Sequence, residues 1–205
     1  MKTSFKNLNA VMAAVAAIIS IASCNNQATS TSDNATDIDT TMQAAAQPAT
    51  VEQAIERFLV DSIGSHYEKA NLCIPECHII ATDDSNPDSI KVWGDFWVMN
   101  YNVAGDTLKT ASGGNHPGMF MLRKTDTGYQ VTGMEQVADG SDNTPSAKRI
   151  FGDLYEEYTT WTANDNDRKQ ARNDAIARYA SQNGLSVTCY QDLGWPAVPI
   201  TPPSH

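Results

Sequence analysis

Lys91-Val-Trp-Gly-Asp-Phe-Trp-Val-Met-Asn-Tyr101 is the stretch whose reading decides the fold. Aromatic and β-branched residues at alternate positions suit a pleated, half-buried strand rather than a helix. Alternation puts Trp93, Asp95, Trp97, Met99 and Tyr101 on one face, and Ile90, Val92, Gly94, Phe96 and Val98 on the other. The second set is an ordinary core face. The first is too aromatic to face water, so it either packs under later helices or lines a concavity.

Shorter runs of the same kind surround this strand. Cys77 to Thr82, Thr107 to Ser112, Met119 to Thr125 and Tyr129 to Val137 are joined by connections rich in Gly, Asp and Asn. Short connections of that composition predict hairpins and antiparallel pairing. Upstream, Thr50-Val-Glu-Gln53 has the form of a capping box. Val51, Ala54, Ile55, Phe58, Leu59 and Ile63 follow at helical spacing, which predicts a helix running to about Asn71, before Pro75. Downstream, Thr144-Pro145 opens a second helix whose apolar face extends to Trp161, and a third runs from Asn166 to Asn183, stopped by Gly184. Leu185 to Tyr190 reads as one more short strand, and the proline-rich tail as irregular. The predicted class is α+β: a long N-terminal helix on a curved antiparallel sheet of four or five strands, with two further C-terminal helices.

The first 49 residues read differently. Lys2 and Lys6 precede the apolar run Ala10 to Ile21, and Ile21-Ala-Ser-Cys24 follows. A charged start, a short apolar run and small residues before a cut describe a secretory signal, and the run is too short to span a bilayer. Small residues directly before a cysteine resemble a bacterial lipobox, which implies lipid attachment at Cys24. Residues 25–49 hold almost nothing to bury, so their ordering entropy would go uncompensated and a tether is expected. The expected organisation is a signal peptide over residues 1–23, a lipid anchor and tether over 24–49, one domain over 50–195 and a tail over 196–205. It implies an extracytoplasmic protein held at a membrane through Cys24.

Charge and cysteine usage narrow the function classes. The chain of 205 residues carries −10, and losing Lys2 and Lys6 with the signal takes it to −12. An acidic surface repels phosphate backbones, so nucleic acid is not an expected partner. After lipidation three cysteines remain, Cys73, Cys77 and Cys189. Either Cys189 bridges to one of the other two, or all three stay reduced as buried thiols. Cys73, Cys77 and His78 match no zinc spacing, and the acidic turns at Asp83, Asp84, Asp88 and Asn164 to Asp167 lack the calcium-loop pattern. No metal or cofactor is expected.

A long amphipathic helix followed by a curved antiparallel sheet, over about Thr50 to Val137, resembles the cystatin-like, nuclear-transport-factor-2-like superfamily of cone-shaped α+β domains. Val92-Trp-Gly-Asp-Phe-Trp-Val98, Ser112-Gly-Gly-Asn-His-Pro-Gly118, Asp139-Gly-Ser and Lys148-Arg-Ile-Phe-Gly152 also resemble lipoproteins of Bacteroidetes-type gut bacteria. The superfamily resemblance implies a fold with a pocket and no particular chemistry, since its members include isomerases, dehydratases, adaptors and binders. No catalytic residue carries over from it.

The candidate site residues therefore come from the chain itself. Trp93, Trp97 and Tyr101 can stack on a sugar or another planar ligand. His116, in the glycine-rich loop, suits hydrogen bonding or proton transfer. With Asp95 it forms the candidate acid–base pair, unless the loop is only a sheet corner. Ser112 and His116 lack the geometry of a hydrolase pair. Three readings follow: a tethered binding or scaffold domain for a small molecule or glycan, a small acid–base enzyme using His116 and Asp95, or a purely structural envelope protein.

Overall fold

The computed structural model describes residues 49–202; the expected signal peptide, lipid site and nearly all of the tether lie outside them. The described chain is α+β, with an open, mostly antiparallel sheet of seven strands. In chain order the elements are α1 (Val51–Phe58), β1 (Leu72–Asp83), β2 (Ile90–Ala104), β3 (Thr107–Asn115) and β4 (Gly118–Thr125). Then come β5 (Gly128–Gln136), α2 (Asn143–Phe151), α3 (Tyr155–Ala163), α4 (Asp165–Gln182), β6 (Cys189–Gln191) and β7 (Val198–Pro199).

β2 is the spine of the sheet. One edge pairs with β1 along nearly its whole length, from Asp83↔Lys91 to Leu72↔Tyr101. The other edge is shared by β4, which takes Ile90 to Gly94, and β3, which takes Trp97 to Ala104. β3 and β4 thus behave as one long strand bent at Asn115-His116-Pro117. The His116 amide donates to Phe96 O at 2.7 Å and the Val137 amide to Pro117 O at 2.9 Å, so the bend stays inside the hydrogen-bond network. Gly113 sits there at φ +143°, where a Cβ would overlap Val98 O. The Ser112 to Gly118 loop is the corner of the sheet.

The helix face fell where the heptad-like spacing put it, but its length did not. Thr50 and Gln53 close the capping box. Ala54, Ile55 and Leu59 bury against Val92, Phe96, Val98, Phe120 and Leu122. Each large side chain in that set contributes roughly 1.5–3 kcal/mol. Past Phe58 the helix loosens into a π turn and a 3₁₀ turn and ends at His66, short of Asn71. Ser62, Gly64 and Ser65 hold a helix weakly, and β1 claims the chain from Leu72. β1 runs through Pro75, which an edge strand tolerates because the missing amide faces no partner.

Three further features depart from the expected outline. The second helix breaks at Gly152, whose φ of +52° a helix cannot continue, into α2 and α3. The sheet has seven strands rather than four or five, because β6 joins β3 in parallel and β7 joins β6. The tail is therefore no loose end: Asn173 of α4 exchanges hydrogen bonds with Thr201 at 2.9–3.1 Å. Among the described residues, Cys73, Cys77 and Cys189 are free thiols.

The face of β2 opposite α1 is covered in two places. Tyr101, Ile74 and Leu108 pack with Ile176 of α4 and Tyr190 of β6. Val137, Ala147, Ile150, Phe151 and Tyr158 form a second cluster under α2 and α3, with Trp93 and Met119 against it. Between the clusters the sheet presents Asp95, Trp97, Met99 and Glu76.

Candidate functional site

Asp95 lies at the meeting point of sheet and helices, 1% exposed. Trp161 of α3 donates its indole N–H to Oδ2 at 3.0 Å, and Trp97 does so at 3.3 Å. Asn115 Nδ2 donates to Oδ1 at 2.5 Å, and Arg168 Nε of α4 lies 3.9 Å from Oδ2. His78, the cross-strand partner of Asp95, stacks on Trp161 with ring centres 3.3 Å apart. Burial lowers the His78 pKa. This carboxylate draws β2, β3, α3 and α4 to one point.

The other predicted residues are distributed around it. Trp93 is held by α2, donating to Ile150 O at 2.9 Å. Tyr101 is buried and accepts from Arg172 Nε at 3.0 Å; burial pushes its phenol up to about 12, so it stays protonated. Trp97 lines a groove. His116 is on the α1 side of the sheet, opposite to its neighbour Asn115. Its Nδ1 meets Gln136 Oε1 at 3.1 Å and its Nε2 meets the Tyr67 hydroxyl at 3.0 Å. Gly114 leaves room for that hydroxyl, which a Cβ would displace. His116 and Asp95 thus do not converge on one cavity, and both imidazole nitrogens are already engaged.

The groove that Trp97 lines has a volume of ≈ 900 Å³, near the top of the roughly 300–1,000 Å³ common for ligand sites. Glu76, Trp97 and Met99 of the sheet form its floor, and α4 from Asp165 to Asn173 forms one wall. The chain from Asp192 to Thr201 forms the other, with Trp195 71% exposed at the rim. Arg172 locks helix to tail. Its Nη1 and Nη2 reach Asp192 at 2.9 and 2.7 Å, Nη2 also reaches Thr110 Oγ1 at 3.0 Å, and the guanidinium lies 4.5 Å over the Tyr190 ring. Arg172 holds the Asp192 carboxyl below its ordinary range by hydrogen bonding.

Glu76 and Arg168 are not satisfied in this way. Glu76 is 8% exposed, and its carboxyl makes no hydrogen bond among the described residues. Burial, reinforced by Asp95, pushes its pKa to about 7. Arg168 stacks at 5.3 Å over Trp97 and donates Nη1 to Thr162 O at 3.2 Å, while its Nε is buried without a hydrogen bond among the described residues.

Glu76, Arg168, Arg172 and Trp195 were not among the residues singled out from sequence. Glu76 carried a signal: it interrupts the alternating row Leu72, Ile74, Glu76, His78, Ile80, where an inward charge stands out. Arg168 and Arg172 are four apart on a helix with a thin apolar face, which marks one side as polar and engaged. Trp195 stood alone among prolines and pointed nowhere.

No family model, curated protein or solved structure matches the chain. Among the described residues no three His, Cys, Asp or Glu side chains gather as a metal site would require, and no helix is long and apolar enough to cross a membrane.

Proposed function

We propose that the protein is a binding domain, tethered to a membrane through Cys24 on the extracytoplasmic side, whose ligand occupies the groove between α4 and the tail. The observation that carries this reading is the groove itself: ≈ 900 Å³, with aromatic side chains on its floor and rim and, in its floor, a carboxyl unpaired among the described residues. A pocket that is mostly apolar with a few placed polar groups is the usual form of a small-molecule site. The acid–base enzyme reading loses ground because its two candidate residues face opposite sides of the sheet. A purely structural role would leave no reason for a carboxyl held mostly out of water to face the groove without a partner among the described residues. The cystatin-like, cone-shaped superfamily remains our proposed affiliation, supported by one amphipathic helix leading into a bent antiparallel sheet.

Two measurements test the proposal. A thermal-shift screen of envelope metabolites and glycans on the full chain should find a compound that raises Tm, since a ligand that binds only the native state stabilises it. That rise should shrink in Trp195→Ala, whose exposed side chain folding does not need; a rise unchanged in the variant puts the ligand elsewhere. The tether is tested separately. Cys24→Ser should abolish lipid labelling and release the protein from membranes, and unchanged retention would mean that Cys24 is not the anchor.

A further inference from the structure

Resting on the groove as the binding site, we propose that its ligand is a neutral oligosaccharide, bound through its hydroxyls by Glu76 and Arg168 and stacked against Trp195. The lining carries Glu76, Asp165 and Asp192 against Arg168, Lys169 and Arg172. Arg172 and Asp192 neutralise each other through two hydrogen bonds. Arg168 lies beside buried Asp95. An anionic ligand would meet Glu76 and Asp165, and a cationic one would meet Arg168 and Lys169, so neither sign gains from entering.

What the groove lacks is hydrogen bonds. Glu76 is 8% exposed as a residue and lines the groove, and its carboxyl, unpartnered among the described residues, is open to the groove rather than sealed from it. Half-protonated near neutral pH, it can both donate to and accept from a hydroxyl. Arg168 uses one terminal nitrogen on Thr162 O, and Nη2 has no partner among the described residues. A carboxyl and a guanidinium facing one space match the vicinal hydroxyls of a sugar, each of which is donor and acceptor at once. The indole of Trp195, exposed at the rim, offers a face for the apolar side of a pyranose ring. The volume exceeds what one ring would fill, which favours a chain of several units over a monosaccharide.

The test uses the full chain, isothermal titration calorimetry and five probes. Neutral hexasaccharides of glucose, xylose and mannose are set against hexagalacturonate and a neutral hexapeptide. The expected result is binding of at least one neutral hexasaccharide, with Trp195→Ala weakening it by about ten- to a hundredfold. Glu76→Ala should weaken it by a similar factor, and Glu76→Gln, which keeps a donor and an acceptor, by about threefold or less. Circular dichroism identifies a variant that has not folded; Trp195→Ala then carries the test, because its side chain is largely in solvent. Binding only of hexagalacturonate or only of the peptide overturns the neutral-sugar assignment and leaves the groove as the site. Binding of none of the five also overturns it, and the Trp195-dependent thermal shift decides separately whether the groove reading survives. A neutral sugar that binds Trp195→Ala as tightly as the parent overturns it as well.

Discussion

Asp95→Ala is expected to lower folding stability by about 3–5 kcal/mol, the usual cost of removing one partner from a buried ionic cluster. The loss is large because of what stays behind. Two indole N–H groups, the Asn115 amide and the Arg168 guanidinium all point at the vacated space, and water has little access to a residue 1% exposed. Arg168, whose side chain is 28% exposed, is the one charged remnant, and it loses its counter-charge. Asp95→Ala combined with Arg168→Met should therefore be less destabilised than the two single variants added together, by 1 kcal/mol or more on the scale of coupled neighbours. Urea unfolding followed by tryptophan fluorescence measures both, with Trp97 and Trp161 reporting from the site. A single-variant loss below about 1 kcal/mol would mean that sheet and helices are joined by their apolar clusters alone.

Most of what this cluster joins is legible in the chain, and most of the groove beside it is not. The two faces of β2 follow from period two, and the buried face of α1 follows from a spacing of three and four, because local sequence dictates both. The departures arise where distant segments decide. β6 is three residues long and pairs with β3 some 80 positions earlier, at Thr107↔Cys189. A short strand was expected over Leu185 to Tyr190, and only its end forms one; what the segment could not carry is its partner, the open edge offered by β3. The same holds for Pro75, a stop signal that becomes harmless once β1 lies at the edge of the sheet. The helix break at Gly152 was visible as a glycine, yet the apolar spacing continued across it from Phe151 to Tyr158. Those two rings stack at 4.1 Å, so the contact is kept while the backbone turns.

The candidate site divides along the same line. Trp97 was found because it belongs to a strand with a regular pattern. The groove wall was missed because it needs α4 and the tail to be folded onto that strand, which Arg172, Asp192 and Asn173 accomplish through contacts invisible to any local window. His116 was found as a chemical type, and its role turned out to depend on Tyr67, forty-nine residues away. Residue type shows which chemistry is available; only the fold shows which partners use it up.

Glu76→Gln is expected to change stability in opposite senses to a routine core substitution, and the pH at which it does so is set by the groove. In the folded chain burial raises the Glu76 pKa from an ordinary 4.5 to about 7, with Asp95 adding to the rise and Arg172 and Arg168 opposing it. Between those values the folded protein holds a proton that the unfolded chain has released. Stability from this group is therefore fully present below about pH 4.5 and is lost as pH rises towards 7. The shift corresponds to roughly 3 kcal/mol at most. Gln is neutral at every pH and nearly the same shape, so the variant escapes that loss. At pH 8 Glu76→Gln should be more stable than the parent by about 2–3 kcal/mol, and at pH 4.5 the two should agree within about 1 kcal/mol. Urea midpoints of parent and variant at the two pH values give the answer, and the difference cancels every other titrating group. A difference that is the same at both values would mean that Glu76 is ionised and solvated at its ordinary pKa, and the groove floor would then be wetter than its geometry implies. The expected gain has a functional side. A chain that keeps a carboxyl here, at a standing cost above neutral pH, keeps it for contacts that Gln only partly replaces, which is the behaviour of a binding group rather than of a core residue.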